Sequence, residues 1–268
     1  MIDLHTHTNV SVDSEALPDE MILKAKERGI TLYAITDHVE LNRWFSEAHY
    51  DNPYNDYDSY NNGETFERAM QSATLMKEKY SDIKILCGVE LGQATSNLGL
   101  ADEIIKDKRL DFVIASIHQL KNREDFAFID YKKFSDKELQ DLLNEYFNEI
   151  YTLCKWGGFD TLGHLTYTLR YIEGESKRKT DLSPFRDTIA ESFREVIKHQ
   201  KAIEINTSGL RQKYGKTFPD IDLLKLYKDL GGKVVTIGSD AHRPEDVGTG
   251  LTEGVTIAEA LGFKIAIK

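Results

Sequence analysis

The amino-acid sequence predicts an α/β protein whose parallel strands curl into an incomplete or distorted barrel. Apolar, β-branched runs alternate with amphipathic segments, and a strand followed by a helix, repeated, predicts parallel strands joined by right-handed crossovers. The sequence contains seven such units, close to the eight of a closed (β/α) barrel, and an open doubly wound sheet is the alternative. The 268 residues are 40% hydrophobic without a long Pro/Gly/Ser-rich interruption, so we expect a single domain spanning residues 1–268.

The predicted strands are short apolar runs. They are Ile2 to His5, Thr31 to Thr36, Ile83 to Val89, Asp111 to Ile117, Phe159 to Gly163, Ala202 to Asn206 and Lys233 to Gly238. The intervening segments are predicted to be helices with recognisable ends. Pro18 begins the first helix and Gly29 ends it. Ser135 and Glu138 have the spacing of a capping box, and Ser183-Pro184 predicts an N-cap followed by proline in the first turn.

Two segments break this alternation. Residues 39 to 62 are rich in Asn, Asp and Tyr, and residues 120 to 134 mix charged with aromatic residues. Both are predicted to be long loops, which in a barrel of this kind lie over the site.

Composition excludes several classes of function. The net charge of -11 would repel polynucleotide phosphates, so nucleic acid is a disfavoured partner. Cys87 and Cys154 lie far apart, which predicts buried apolar side chains rather than a disulfide framework or a cysteine-rich zinc site. The chain begins without a secretory pattern, and no segment approaches the roughly 20 apolar residues of a membrane span. We therefore expect a cytoplasmic protein.

The candidate functional residues are histidines and carboxylates at the carboxyl ends of the predicted strands. Five of the seven strands deliver histidine there, the third ends in glutamate, and the seventh adds aspartate. These residues are His5, His7, His38, Glu90, His118, His164, Asp240 and His242. Because strand ends of a barrel meet on one face, we expect these residues to converge. Imidazole nitrogen and carboxylate oxygen are ligands for zinc, manganese or iron, whereas magnesium and calcium prefer oxygen alone.

The local spacing supports chelation. In extended chain, His5 and His7 point the same way, as do Asp240 and His242, and so many ligands indicate more than one metal. A single H-x-H occurs often by chance, but burying this many unpaired polar groups as core packing would cost several kcal/mol each. His199, beside two lysines, is predicted to be a solvated surface residue.

The motifs DLHTHTNVSVDS, AITDH, GVELG, SIH, GHL and GSDAH, in this order, resemble those of the PHP (polymerase and histidinol phosphatase) superfamily. The resemblance runs from Asp3 to His242 and implies a distorted (β/α)7 barrel of TIM-like type. GHLTYTLRY and EINTSGLR are similar to segments of its monofunctional histidinol-phosphatase branch. The resemblance therefore implies a phosphoric monoester hydrolase of histidine biosynthesis, which converts L-histidinol phosphate to L-histidinol and inorganic phosphate. It also implies two to three divalent metal ions as cofactors, zinc, manganese or iron.

The resemblance also implies a ligand set. The first metal would take His5, His7, Glu90 and Asp240, with Glu90 bridging to a second held by His118 and His164, and the third would take Asp13, His38 and His242. Asp13 stands where several superfamily members have histidine. Asp240 and His242 would be catalytic, as would Arg170 and Arg211, which reach the substrate phosphate.

Other residues are predicted to support this site. Asn206 is a candidate substrate contact, and Asp3 and Asp37 are candidate partners that fix imidazole tautomers. In the first long loop, Glu40, Glu47, Trp44 and Phe45 are candidate contacts for the amine and imidazole of the substrate, and His49 faces either substrate or solvent.

Three alternatives stay open. Another phosphoesterase of the same superfamily would act on nucleotides or phosphotyrosine. A barrel amidohydrolase also uses H-x-H after its first strand, but it would usually place a metal-bridging lysine where this chain has Glu90 and His118. A non-catalytic metal-binding domain would usually lack part of the ligand set.

Overall fold

The computed structural model describes residues 1–41, 64–121 and 123–266. In these residues the strands are β1 (Ile2–Asp3), β2 (Leu32–Ile35), β3 (His38–Glu40), β4 (Lys84–Gly92), β5 (Phe112–Ser116), β6 (Thr161–Leu162), β7 (Ala202–Asn206), β8 (Val234–Gly238) and β9 (Lys264–Ile265). The α-helices are α1 (Pro18–Glu27), α2 (Glu64–Lys79), α3 (Leu98–Ile104), α4 (Asp136–Trp156), α5 (Arg186–Lys198), α6 (Ser208–Arg211), α7 (Ile221–Asp229) and α8 (Leu251–Ala260). A π-helix spans Arg170–Glu175.

The sheet is parallel throughout and follows chain order. Its path is β1-β2-β4-β5-β6-β7-β8-β9, and β3 extends the line of β2 by pairing with the second half of β4. The first strand also meets β8, because Leu4 N donates to Ile237 O at 3.0 Å and Thr6 forms a parallel bridge with Ala241. Since β1 thus has neighbours on both sides, the sheet curls into a distorted barrel, as predicted, rather than remaining an open doubly wound sheet.

Every predicted strand is present, but the sequence did not reveal β3 or β9. Because β3 follows β2 after a two-residue break, the predicted loop 39 to 62 begins as strand. Residues 42–63 lie outside the described part of the chain. Among its described residues, 120–121 and 123–134, the second predicted loop is irregular apart from one 3-10 turn at Tyr131–Lys133.

Most predicted helix ends are confirmed. Pro18 is the first residue of α1 and Gly29 follows its end with φ of +69°. Glu138 N donates to Ser135 Oγ at 3.2 Å and Ser135 N donates to Glu138 Oε2 at 2.7 Å, which is the predicted capping box. The N-cap prediction at Ser183 is wrong: Ser183–Phe185 is a 3-10 turn and α5 begins at Arg186. The tighter turn packs the buried Phe185 against Phe147.

The core has an inner and an outer part. A small cluster fills the barrel and includes Leu32, Ala34 and Ile114, whereas the intervening Tyr33 and Ile35 join the larger cluster beneath the helices. This alternation is the two-residue period of strands. Cys87 and Cys154 are buried free thiols, as expected. No described helix is both long and apolar enough to cross a membrane.

Candidate metal centre

The predicted ligands converge at the carboxyl ends of the barrel strands. They lie in β3 and β4 or just beyond the other strands: His5, His7, Asp13, His38, Glu90, His118, His164, Asp240 and His242. Two glycines allow strands to approach here. A Cβ at Gly238 would lie 2.3 Å from His5 Cβ, and one at Gly92 would lie 1.9 Å from Glu40 Oε2. Larger residues at either position would therefore displace the cluster.

The first group of donors surrounds one point between β1, β4 and β8. Glu90 Oε2 lies 3.2 Å from His5 Nε2 and 3.4 Å from His7 Nε2. Asp240 Oδ1 lies 3.7 Å from His5 Nε2 and 3.4 Å from His7 Nε2. Ligands at about 2.0–2.2 Å from a tetrahedral zinc ion are separated by roughly 3.3 Å. The spacing therefore fits one divalent ion.

The second group uses the other oxygen of Glu90. Glu90 Oε1 lies 3.1 Å from His118 Nε2 and 2.7 Å from His164 Nε2, and the two imidazole nitrogens are 3.4 Å apart. Ser116 Oγ donates to the same oxygen at 2.6 Å. Glu90 Oε2, in contrast, faces His5, His7 and also His38, whose Nδ1 lies 3.0 Å away. Because its two oxygens face different histidines, this carboxylate can bridge two ions.

The third group lies at the rim of the cluster. Asp13 Oδ1 is 3.5 Å from His38 Nε2, and Asp13 Oδ2 is 3.1 Å from His242 Nε2. The His242 ring stacks on that of His7 with centroids 4.1 Å apart, so this group adjoins the first. Asp13 therefore presents its two oxygens to both imidazoles of this group.

Unpartnered buried atoms test whether metal ions fit. Among the described residues, His5 Nε2, His7 Nε2, Glu90 Oε2 and His242 Nε2 are buried without a hydrogen-bond partner. Leaving such atoms unsatisfied costs several kcal/mol, whereas each would be a ligand of an ion in its group. Burial, together with the neighbouring imidazoles, lowers the pKa of His7 to about 3, so its lone pair stays available to a metal.

Buried carboxylates orient the imidazoles, and Glu204 is one that the sequence did not reveal. Its Oε1 lies 2.7 Å from His5 Nδ1, and its Oε2 accepts the backbone N–H of His164 at 2.9 Å. A charged residue in the middle of the apolar run of β7 was the available signal. A carboxylate on Nδ1 fixes the tautomer that leaves His5 Nε2 free for a metal.

The predicted position of Glu40 in the first long loop is wrong. It lies in β3 rather than in a loop and is buried, with Oε1 2.8 Å from His118 Nδ1. Burial would raise its pKa, but His118 and His38 outweigh burial and lower it to about 2. Glu40 therefore orients His118 as Glu204 orients His5. The other predicted loop residues, Glu47, Trp44, Phe45 and His49, lie outside the described residues.

The predicted roles of Asp3 and Asp37 as imidazole partners need correction. The Asp3 carboxylate accepts N–H and O–H from Ser239 and the N–H of Gly248, so it fixes the turn after β8. Asp37 reaches His7 through Ser11, whose Oγ donates to Asp37 Oδ1 at 2.7 Å and lies 3.1 Å from His7 Nδ1. Among the described residues neither aspartate side chain has a hydrogen bond or ion pair with an imidazole ring, because hydroxyl and backbone N–H groups occupy its oxygens.

The predicted substrate residues differ in their surroundings. Arg211 donates from Nη1 to Ser239 O at 2.5 Å and from Nη2 to Asp240 O at 2.7 Å. This holds Asp240 in a left-handed conformation, with φ of +52°. Asn206 is fully buried and donates to Asp240 Oδ2 at 3.3 Å. Both residues therefore fix Asp240.

Arg170 is half-buried, with its guanidinium 5.3 Å from the Tyr171 ring. Burial would lower the pKa of Arg170, but Tyr171, Tyr167, Asp240 and Asp13 outweigh burial and raise it. The guanidinium therefore lies within the electrostatic field of Asp13 and Asp240. His199 lies outside the cluster at the end of α5, 3.6 Å from Glu195, but it is half-buried rather than fully solvated as predicted.

The fold and the donor set define a parallel α/β barrel built to hold a cluster of metal ions. The profile of the PHP domain family matches residues 3–208, and the chain belongs to this family.

Relatives extend the likeness over the whole chain. A protein of Thermotoga maritima named as a probable histidinol-phosphatase is 32% identical over 98% of this chain and 94% of its own length. The histidinol-phosphatase of Lactococcus lactis is 27% identical over 98% and 91%. A crystal structure of histidinol phosphate phosphatase from Lactococcus lactis, in complex with zinc, L-histidinol and phosphate, superposes with a TM-score of 0.76 at 26% identity and covers 98% of this chain and 94% of that one.

Proposed function

We propose that this protein is a metal-dependent phosphatase that hydrolyses L-histidinol phosphate to L-histidinol and inorganic phosphate. The observation that carries the proposal is the Glu90 carboxylate, whose two oxygens face two separate groups of histidines at 2.7–3.4 Å. Adjacent metal ions sharing a carboxylate suit phosphoryl transfer, because they can act on the attacking and leaving oxygens together. The histidinol-phosphatases among the relatives support the choice of substrate.

The chain's own residues hold and orient this machinery. Two or three divalent ions, zinc, manganese or iron, would activate water as the nucleophile and stabilise charge on the phosphoryl group. Glu204 and Glu40 keep His5 and His118 in the tautomer that binds metal. The zinc in the Lactococcus lactis complex supports zinc as one of these ions.

The phosphate contacts follow from the surroundings of the arginines. We assign Arg170 to the substrate phosphate, since its guanidinium lies near Asp13 and Asp240 at the rim of the cluster. Arg211 was predicted for the same role, but its terminal nitrogens already bind two backbone carbonyls. We therefore assign Arg211 and Asn206 to the support of Asp240.

Phosphate release by the purified protein tests the proposal. L-Histidinol phosphate is compared with nucleotides, sugar phosphates, phosphotyrosine and p-nitrophenyl phosphate, and metal content is determined in parallel. We expect strong preference for L-histidinol phosphate, lost on chelation and in His7→Ala but retained in His199→Ala, which removes a histidine outside the cluster. Preference for a nucleotide or phosphotyrosine would move the function to another phosphoesterase, and a metal-loaded protein without phosphatase activity would exclude the proposal.

A further inference from the structure

The loop after β5 returns the chain to the metal centre. Gln119, which follows the ligand His118, forms an antiparallel bridge with Asp125, and Phe126 N donates to His118 O at 3.1 Å. Phe126 is buried and its carbonyl accepts the hydroxyl of Tyr131 at 3.0 Å. These contacts anchor the half-buried Asp125 beside the backbone of His118.

Two tyrosines form the adjoining wall. The Tyr167 ring lies 5.1 Å from the His118 ring and 6.3 Å from the Phe126 ring, and its hydroxyl is 2.8 Å from that of Tyr171. Burial raises the pKa of both tyrosines, and the charge of Asp125 adds to the effect. The Asp125 carboxylate is therefore close enough to both phenol groups to influence their pKa, and it borders the same part of the site.

Charge is distributed unequally along this wall. Arg170 lies over Tyr171 on the side of Asp13 and Asp240, whereas Asp125 lies on the side of His118. Among the described residues no ion pair involves Asp125, and the nearby Arg123 instead pairs with Glu145 at 2.6 Å. One end of the wall thus suits an anion, and the other offers a carboxylate without a cation.

We propose that Asp125 binds the cationic amine of the alcohol that leaves from phosphorus, while the faces of Tyr167 and Tyr171 receive its imidazole ring. This inference rests on the proposed function, because a phosphate ester of an amino alcohol carries its anion and its cation at opposite ends. The Asp125 carboxylate accepts the backbone N–H of Ala127 at 2.8 Å but has no ion-pair partner among the described residues. A cation stabilises such a half-buried carboxylate, and aromatic faces attract cationic or planar groups. Asp125 is then the residue that selects the alcohol rather than the phosphate.

The test compares Asp125→Asn with the wild-type holoenzyme on L-histidinol phosphate and on p-nitrophenyl phosphate, which has no cation. Loss of one charge-assisted contact should lower kcat/KM for L-histidinol phosphate by about 10- to 100-fold, mainly through KM. Activity on p-nitrophenyl phosphate and metal content should stay within about twofold, since neither depends on that contact. Calorimetry in the presence of phosphate should show L-histidinol binding weakened by a similar factor. Asp141→Asn, on the exposed face of α4, removes the same charge elsewhere and should change none of these values.

Each outcome decides something. Equal losses on both substrates would show that Asp125 supports the metal centre and would overturn the assignment, as would unchanged KM for L-histidinol phosphate. A variant that loses its metals is replaced by Asp125→Glu, which keeps the charge and should retain the preference in part. Failure of the proposed function itself is distinguishable, because the wild type would then show no preference for L-histidinol phosphate.

Discussion

The two sides of the donor cluster differ in burial. The side chain of Glu90, shared by the two inner groups, is 1% exposed, whereas that of Asp13 in the rim group is 55% exposed. The inner histidines His5 and His118 each have a buried carboxylate within 2.8 Å of Nδ1, whereas His242 Nδ1 lies 3.2 Å from the backbone carbonyl of Asp240 and 3.6 Å from its Oδ1. In the rim group, His38 Nδ1 does face buried carboxylates, Glu90 Oε2 at 3.0 Å and Glu40 Oε1 at 3.3 Å. Partners of this kind fix an imidazole before the metal arrives. The inner groups are thus more fully organised in advance than the rim group, in which the more exposed Asp13 and His242 depend more on the metal itself.

Replacing Glu90 should have the largest effect. Glu90→Gln removes the charge that both inner groups share, so we expect loss of metal from both and a fall in kcat/KM of at least about a thousandfold. Elemental analysis of the purified variant beside its steady-state kinetics measures both quantities. Glu103→Gln, on the exposed surface of α3, is the matched control. Retention of two inner metals by Glu90→Gln would show that the carboxylate does not bridge.

Replacing Asp13 should separate the rim from the interior. Asp13→Asn keeps the shape but removes the charge shared by His38 and His242. We expect loss of one metal per chain, retention of the inner pair, and a fall in activity of about a hundredfold. Graded chelation of the wild type should release that same metal first. Simultaneous loss of all metals would contradict the difference between rim and interior.

Replacing Glu204 tests whether His5 is oriented before the metal binds. Glu204→Gln keeps a hydrogen-bonding group beside His5 but removes its charge, so metal affinity should fall by about 10- to 100-fold, with less loss of activity when metal is in excess. Competition with a chromogenic chelator measures the affinity. Glu195→Gln, outside the cluster on α5, should bind metal as the wild type does. Unchanged affinity in Glu204→Gln would assign that carboxylate to folding alone.

The sequence predicted the convergence of the candidate ligands better than their hydrogen-bond partners, for a physical reason. Parallel strands bring their carboxyl ends together whatever the details of packing, so histidines at those ends had to converge. Contacts such as Glu204 to His5 depend on how closely two strands approach. Here the close approach is possible only because Gly238 has no side chain. The hydrogen bonds that hold the Asp3 and Asp37 carboxylates on other groups, and the three-residue strand that contains Glu40, are likewise tertiary properties that no local pattern encodes.

The smallest expected effect concerns the thermal stability of the metal-free protein. Its dependence on pH should come more from the inner histidines than from those of the rim group. Burial would lower the pKa of His118, but Glu40 and Glu90 outweigh burial and raise it from 6.5 to about 10. A folded-state pKa above the unfolded value contributes stability that is full below pH 6.5 and is lost as the pH rises through about 10. The Tm of the chelated protein should therefore fall over this range.

Two variants and metal loading show which histidines cause the dependence of Tm on pH. His118→Asn should flatten the slope of Tm against pH, whereas His242→Asn at the rim should change it less, because its partner Asp13 is exposed and screened by solvent. Metal loading should also remove the slope, since a bound ion takes the place of the proton. Thermal unfolding monitored by circular dichroism, with and without chelator, measures it. An equal slope in both variants would show that interior and rim respond alike, contrary to the difference in their burial.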